Sequence, residues 1–312
     1  MDAPAIAVVL VNWNSRDDVL RALGSLRGAP GLEVAVVDNG SSDGSAAAIR
    51  EAFPEVRVLE TGANLGFPGA CNVGIAATGG EWVLLLNNDA EVEPGCLEEL
   101  RRRAAGAPPD LGMIQPLIVF ASRPSFVNST GIRIRDTGRA ADRHFDRPVE
   151  AAEGAGDPFC PTACAARDRR RMLEEVRLGD QFLDAEYFMY FEDVDLGWRC
   201  RLAGWRAAYA PAARVRHRYQ GSAGRLRRSF ALTQMRVNRV ATLLHNASRA
   251  FLVRTLPATL RDLLRVLLGE GPGPIAGLLR RLPRILRDRR RVAALTRVDR
   301  RAMERAWFRR RA

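Results

Sequence analysis

Four short apolar runs, each closed by a cluster of Asn, Asp, Thr or Gly, constrain the first ninety residues most. Residues 5–11 (AIAVVLV) lead into Asn12-Trp13-Asn14, and residues 34–37 into Asp38-Asn39-Gly40-Ser41. Residues 56–59 lead into Thr61-Gly62-Ala63-Asn64, and residues 82–86 into Asn87-Asn88-Asp89. The first run reads as a buried parallel strand and the others continue the pattern. Helices are expected between them: from Ser15, whose spacing to Asp18 resembles a capping box, to about Leu26, then over 45–53 and 69–77. Strands alternating with helices predict an α/β, doubly wound parallel sheet. Turn chemistry alone explains any single polar cluster. Four clusters on the same carboxyl edge instead mark the edge where open α/β sheets bind ligands.

The middle of the chain is less regular. Residues 115–120 read as another strand, 126–134 as part of a hairpin, and 135–158 as a charged, Gly-rich variable loop. Residues 187–191 introduce FEDVD, with a helix expected over 196–202 and Gly204 as its cap. Short strands over 207–209 and 213–216 lead to His217, and no internal repeat is present.

Charge separates the two ends of the chain. The formal net charge is +12, but residues 1–224 hold 25 Arg against 31 acids, a balance of −6. Residues 225–312 hold 23 Arg against 5 acids, a balance of +18, and Lys is absent throughout. The division expected is a body over 1–224 and a basic amphipathic helical region over 225–312. Five Cys without paired ligand spacing suit reduced thiols in a cytoplasmic protein. The start lacks a basic leader, and no uncharged apolar run reaches bilayer-spanning length.

The motifs narrow the chemistry. VNWNSRDD follows the first strand where a dinucleotide-binding or P-loop protein would carry its glycines. A diphosphate held without such a loop calls for a divalent cation on a strand-end carboxylate, and Asp89 stands at that position. Asp38 could accept hydrogen bonds from a base or ribose. Glu192-Asp193-x-Asp195 is the second constellation. Its acids suit a helix start, and Tyr187, Phe188, Tyr190, Phe191 and Trp198 would wall a partly dry site that makes a carboxylate more basic. His217 is a candidate third metal ligand, although a lone His is more often structural.

VVLVNWN, VVDNGSSDGS, NLGFPGACNVGI, VLLLNNDAEVEPG and YFMYFEDVDLGWRCRLAGWRAAYAPAARVRH together resemble family-two glycosyltransferases, especially those named rhamnosyltransferases. The resemblance spans about residues 5–220 and implies a GT-A (Rossmann-like) mixed sheet with helices on both faces, and inversion at the anomeric carbon. It places Asn12, Asp38, Asn64, Gly66, Phe67, Asn88 and Asp89 at a nucleotide-sugar donor. It makes Asp193 the catalytic base and puts Glu192 and Trp198 at the acceptor. Asp89 corresponds to the last acid of a DxD motif and His217 to a further ligand of the cofactor, Mn2+ or Mg2+. Asn87 replaces the first acid of that motif. The acceptor implied is a cell-surface glycan or lipid-linked sugar. Two rivals are a sugar nucleotidyltransferase, which needs an activation loop that VNWNSRDD does not supply, and a non-catalytic membrane-bound scaffold, which would be free to lose Asp89 and Asp193.

In the tail, Leu252, Leu256, Leu260, Leu263 and Leu267 recur at helical spacing beside Arg254, Arg261 and Arg265. GEGPGP at 269–274 breaks the chain, and residues 275–291 repeat the pattern. Such a pair suits an anionic membrane surface, with the protein peripheral on the inner face of the cell membrane. The alternatives are packing on the body or a homodimer through these helices. Nucleic acid is not expected, because the arginines lie among leucines rather than stacking aromatics.

Overall fold

The computed structural model describes residues 6–219 and 228–308. The chain begins β1 (Ile6–Asn12), α1 (Arg16–Leu26), β2 (Leu32–Asp38), α2 (Ser45–Ala52), β3 (Arg57–Glu60), α3 (Gly66–Ala77) and β4 (Trp82–Asn87). All seven expected elements are present, with ends shifted by up to three residues. Ser15 precedes α1, but its hydroxyl turns back to the Trp13 carbonyl (3.4 Å) rather than capping the helix.

The second half departs from a doubly wound sheet. It continues with β5 (Ala90–Val92), α4 (Cys96–Ala105), β6 (Leu111–Phe120), β7 (Arg123–Ser129), β8 (Ile132–Ile134), β9 (Ala140–Asp142), β10 (Ala165–Arg169) and α5 (Arg170–Glu175). Then come α6 (Glu192–Leu202) and β11 (Arg206–His217). Among the described residues one sheet runs β3-β2-β1-β4-β10-β6-β11-β5, with β7 paired to β6. β10 is antiparallel to both β4 and β6, so the sheet is mixed. Residues 126–134, expected to be part of a hairpin, divide between two antiparallel pairs: β7 forms a hairpin with β6, and β8 pairs with β9, which lies inside the segment expected to be loop. The two short strands before His217 are one, β11, irregular between Ala210 and Arg214.

The continuous apolar strand runs follow from burial on both faces. Ile6, Val8 and Leu10 pack with α1 and α4 on one face. Ala7 and Val9 pack toward α3, α5 and α6 on the other. That second core also takes in Leu243, Phe251, Val292 and Met303 from the C-terminal helices α7 (Arg228–Asn246), α8 (Arg249–Glu270), α9 (Gly273–Leu295) and α10 (Arg300–Trp307), and Phe308 just beyond α10. The tail therefore packs on the body through a shared apolar interior. Among the described residues no helix is long and apolar enough to cross a membrane.

Candidate active site

The strand-end clusters meet in register, Asn12 beside Asp38 and Val11 beside Asn87. Asn12 reaches Asp38 Oδ2 and Ser41 Oγ at 3.4 Å, and the Asn88 amide donates to Asn12 Oδ1 at 3.1 Å. The Ser41 N–H donates to Asp38 Oδ1 (2.9 Å). Asn39, which sequence reasoning did not single out, ties the third cluster in: its amide donates to Asn64 Oδ1 (3.0 Å), and its Oδ1 accepts from the Leu65 N–H (2.9 Å). Gly66 follows at φ 74°, and a Cβ there would lie 2.4 Å from the Phe188 carbonyl oxygen. Only glycine allows that approach. The Phe67 N–H then donates to the same oxygen (2.7 Å), so Gly66 and Phe67 touch the segment before FEDVD.

That segment is under backbone strain. Phe188, Tyr190 and Phe191 all have positive φ, an unfavourable conformation for bulky residues that surrounding structure must impose. The restraint comes from the tail: Asn238 Nδ2 on α7 lies 2.9 Å from the carbonyls of Tyr187, Met189 and Tyr190. The sequence offered no signal for Asn238, which lies almost fifty residues away.

Helix α6 starts at Glu192, four residues earlier than expected, so all three acids lie in its first turn. Their surroundings differ. Asp193 accepts the Ala163 N–H (3.1 Å) and its neighbour Val194 N–H (2.8 Å). Burial pushes its carboxyl up to about 6, against the pull of those hydrogen bonds. Glu192 is pushed up to about 8, by burial and then by the Asp193 charge, and its Oε2 is buried without a partner. Asp168 on β10, not anticipated from sequence, is pushed to about 7 by the same two causes. Asp168 and Asp193 line one small cavity with Cys160, Ala163 and Leu183.

Asp195 faces inward. It meets Arg199 (2.8 Å), Asn246 Nδ2 (2.8 Å) and His245 Nδ1 (3.2 Å), all buried. Burial would raise its carboxyl, but Arg199 and His245 overcome this and hold it well below the ordinary range. Trp198 requires a correction. It is fully buried, with the rings of Phe308, Phe159 and Phe251 at 4.7, 6.2 and 6.2 Å, so it cannot meet an acceptor. Its apolar bulk fills the seam between α6 and the tail. Tyr187, also buried, bonds Thr242 on α7 instead of walling an open site.

Asp89 and His217 come together across the sheet edge. His217 Nδ1 lies 2.8 Å from Asn128 Oδ1, which can only accept, so Nδ1 carries a proton. Nε2 then points at Asp89 Oδ1, 3.2 Å away. That oxygen is buried and makes no well-aligned hydrogen bond. Against the effect of burial, the Cys164 side chain and the Asp89 carboxylate raise the His217 imidazole well above its ordinary range, so the pair favours a positive charge between Nε2 and Oδ1, which a proton or a metal ion can supply. Asp89 and His217 therefore fit a divalent metal, with Asn128 as the outer partner that orients the ligand. Among the described residues no third His, Cys, Asp or Glu completes a cage, so the remaining ligands would come from substrate or water.

Two consecutive residues join the halves of the site. Ala163 holds Asp193 through its N–H. Cys164 interacts with His217 through its side chain, and its carbonyl accepts the Asn87 N–H (2.9 Å).

Comparison with known proteins gives the family and the fold. Residues 7–175 match glycosyl transferase family 2. The chain is 32% identical over 249 residues to the N-acetylglucosaminyl-diphospho-decaprenol L-rhamnosyltransferase of Mycobacterium tuberculosis, covering 70% of this chain and 78% of that one. Among solved structures it is similar to a Pyrobaculum calidifontis mannosyltransferase in complex with GDP-Man and Mn2+, with a TM-score of 0.53 and 18% identity over 97% of this chain and 87% of the other. It is also similar to TarS of S. aureus, with a TM-score of 0.54 and 16% identity over 83% and 43% of the two chains. These likenesses identify a GT-A-like fold.

Proposed function

The chain belongs to glycosyl transferase family 2, and from this premise we propose that it is an inverting, metal-dependent glycosyltransferase acting on a lipid-linked or cell-surface glycan. The donor proposed is a nucleotide-diphosphate sugar, with rhamnose favoured by the similarity to the mycobacterial enzyme. With a lipid-linked acceptor, transfer takes place at the cytoplasmic surface of a membrane. The observation that carries the reading is the link from Asp193 through Ala163 and Cys164 to the Asp89–His217 pair. That link supports a reading in which the base on α6 and a diphosphate site at the sheet edge are neighbours.

In this mechanism Asn12, Asp38, Asn64, Gly66, Phe67 and Asn88 form the donor site. Asp193, ionised near neutral pH, takes the acceptor hydroxyl proton. The freed electron pair forms the new C–O bond while the bond to the diphosphate breaks on the opposite face. Glu192, still protonated, can donate a hydrogen bond to the acceptor from its unpartnered side. A metal at Asp89 and His217 would supply Lewis-acid stabilisation of the departing diphosphate. No covalent enzyme intermediate is required, so one base suffices.

Thermal unfolding with dTDP-, UDP- and GDP-sugars, each with and without manganese, tests this reading. One nucleotide class should raise Tm by several degrees, and by more with manganese than without. No stabilisation by any donor would overturn it.

A further inference from the structure

We propose that the outward face of α8 docks on an anionic lipid bilayer. A helix on a protein surface normally turns its apolar stripe inward and its charges outward. Helix α8 does the reverse along much of its length. Val253, Leu256, Leu260, Leu264, Leu267 and Leu268 are between 44% and 78% exposed. Their spacing of three and four residues places them on one side of the helix.

Opposite them, Asp262 is buried against Arg139 (2.6 Å) and Arg239 (3.2 Å). Phe251, Thr255 and Val266 are buried on the same inner side. Turning the leucines inward would break these ion pairs, so their exposure is built into the packing. Of the leucines read from sequence as one flank, Leu252 and Leu263 face the body, while Leu256, Leu260 and Leu267 face out. Contiguous exposed apolar surface of this kind marks an interaction site.

Charge identifies the occupant. Arg261 and Arg265 flank the stripe, are exposed, and make no ion pair among the described residues. Of the five acids in the tail, Asp262, Asp288 and Glu304 are buried, leaving only Glu270 and Asp299 outside that class. An apolar stripe edged with unpaired arginines matches acyl chains beneath anionic headgroups. A second copy of the same face would bring two strongly cationic surfaces together. The inference deepens the lipid-linked acceptor reading, but vesicle binding needs no catalysis, so either can fail alone.

The full-length protein should co-sediment with vesicles of mixed phosphatidylglycerol and phosphatidylcholine, and much less with phosphatidylcholine alone. L256Q/L260Q/L264Q should weaken that binding at least about tenfold, with unchanged Tm because these side chains touch solvent. R261E/R265E should weaken it and remove its salt dependence. Undiminished binding by the leucine variant, or no binding by the wild type, would overturn the proposal. So would a wild-type dimer that the leucine variant dissociates without affecting vesicle binding.

Discussion

Asp193→Asn should lower kcat for sugar transfer about a thousandfold and leave donor affinity unchanged. The amide fits the same space but cannot take the acceptor proton, and none of the donor-site side chains depends on Asp193. The wild-type pH profile should carry the matching limb. Because burial raises the Asp193 carboxyl to about 6, the base is ionised above that pH. kcat/KM should therefore fall as pH drops through about 6, and the variant's residual rate should lack that limb. Glu192, Asp168 and Asp142 are the acids whose charges face Asp193. They make protonation of the cluster a shared event, so the limb reports the group and not one isolated carboxyl. Steady-state kinetics with donor and acceptor varied separately would check this. A variant retaining a tenth or more of the wild-type kcat would contradict the assignment.

Asp195→Ala should act on stability instead, costing about 3–5 kcal/mol. Its carboxylate is fully buried and compensates Arg199, with Asn246 as a further donor and His245 Nδ1 in contact at 3.2 Å. Among the described residues, removal leaves the guanidinium with only the Val176 and Phe182 carbonyls in the interior. A depressed carboxylate stabilises the fold above its unfolded pKa, and that contribution is lost as pH falls through its folded pKa. The difference in Tm between wild type and variant should thus be large at neutral pH and shrink in acid. The same network joins α6 to α7, so the loss should appear as cooperative unfolding of body and tail together. A change in Tm of less than about 2 °C at pH 7 would show that the network is not what holds them.

These two acids, two residues apart, also show what sequence could and could not resolve. FEDVD marked a candidate catalytic segment, and the strand-end clusters at Asn12, Asp38, Asn64 and Asn88 pointed to one sheet edge. Both signals are local, because a strand's burial and a turn's polarity lie in contiguous residues. The partners that set each acid's role are remote. Ala163, Asn128, Asn238 and His245 reach the site through antiparallel insertions and the tail, and no spacing rule connects them to it. Trp198 illustrates the corresponding error. An aromatic beside acids suits a sugar platform, yet Phe251 and Phe308 enclose it only once the C-terminal helices pack. The mixed character of the sheet was legible only through the family resemblance, since β10 (AARDR) carries Arg167 and Asp168 buried in the interior and so lacks an apolar signature.

The central claim is a single displacement assisted by one base, and the product's anomeric configuration tests it most directly. Purified protein, the stabilising donor, manganese and an acceptor are incubated together, and the new glycosidic linkage is read by NMR. Inversion relative to the donor sugar is the result predicted by one base opposite a departing diphosphate. A product retaining the donor configuration would require a second displacement or a front-face route, and would contradict the role given to Asp193.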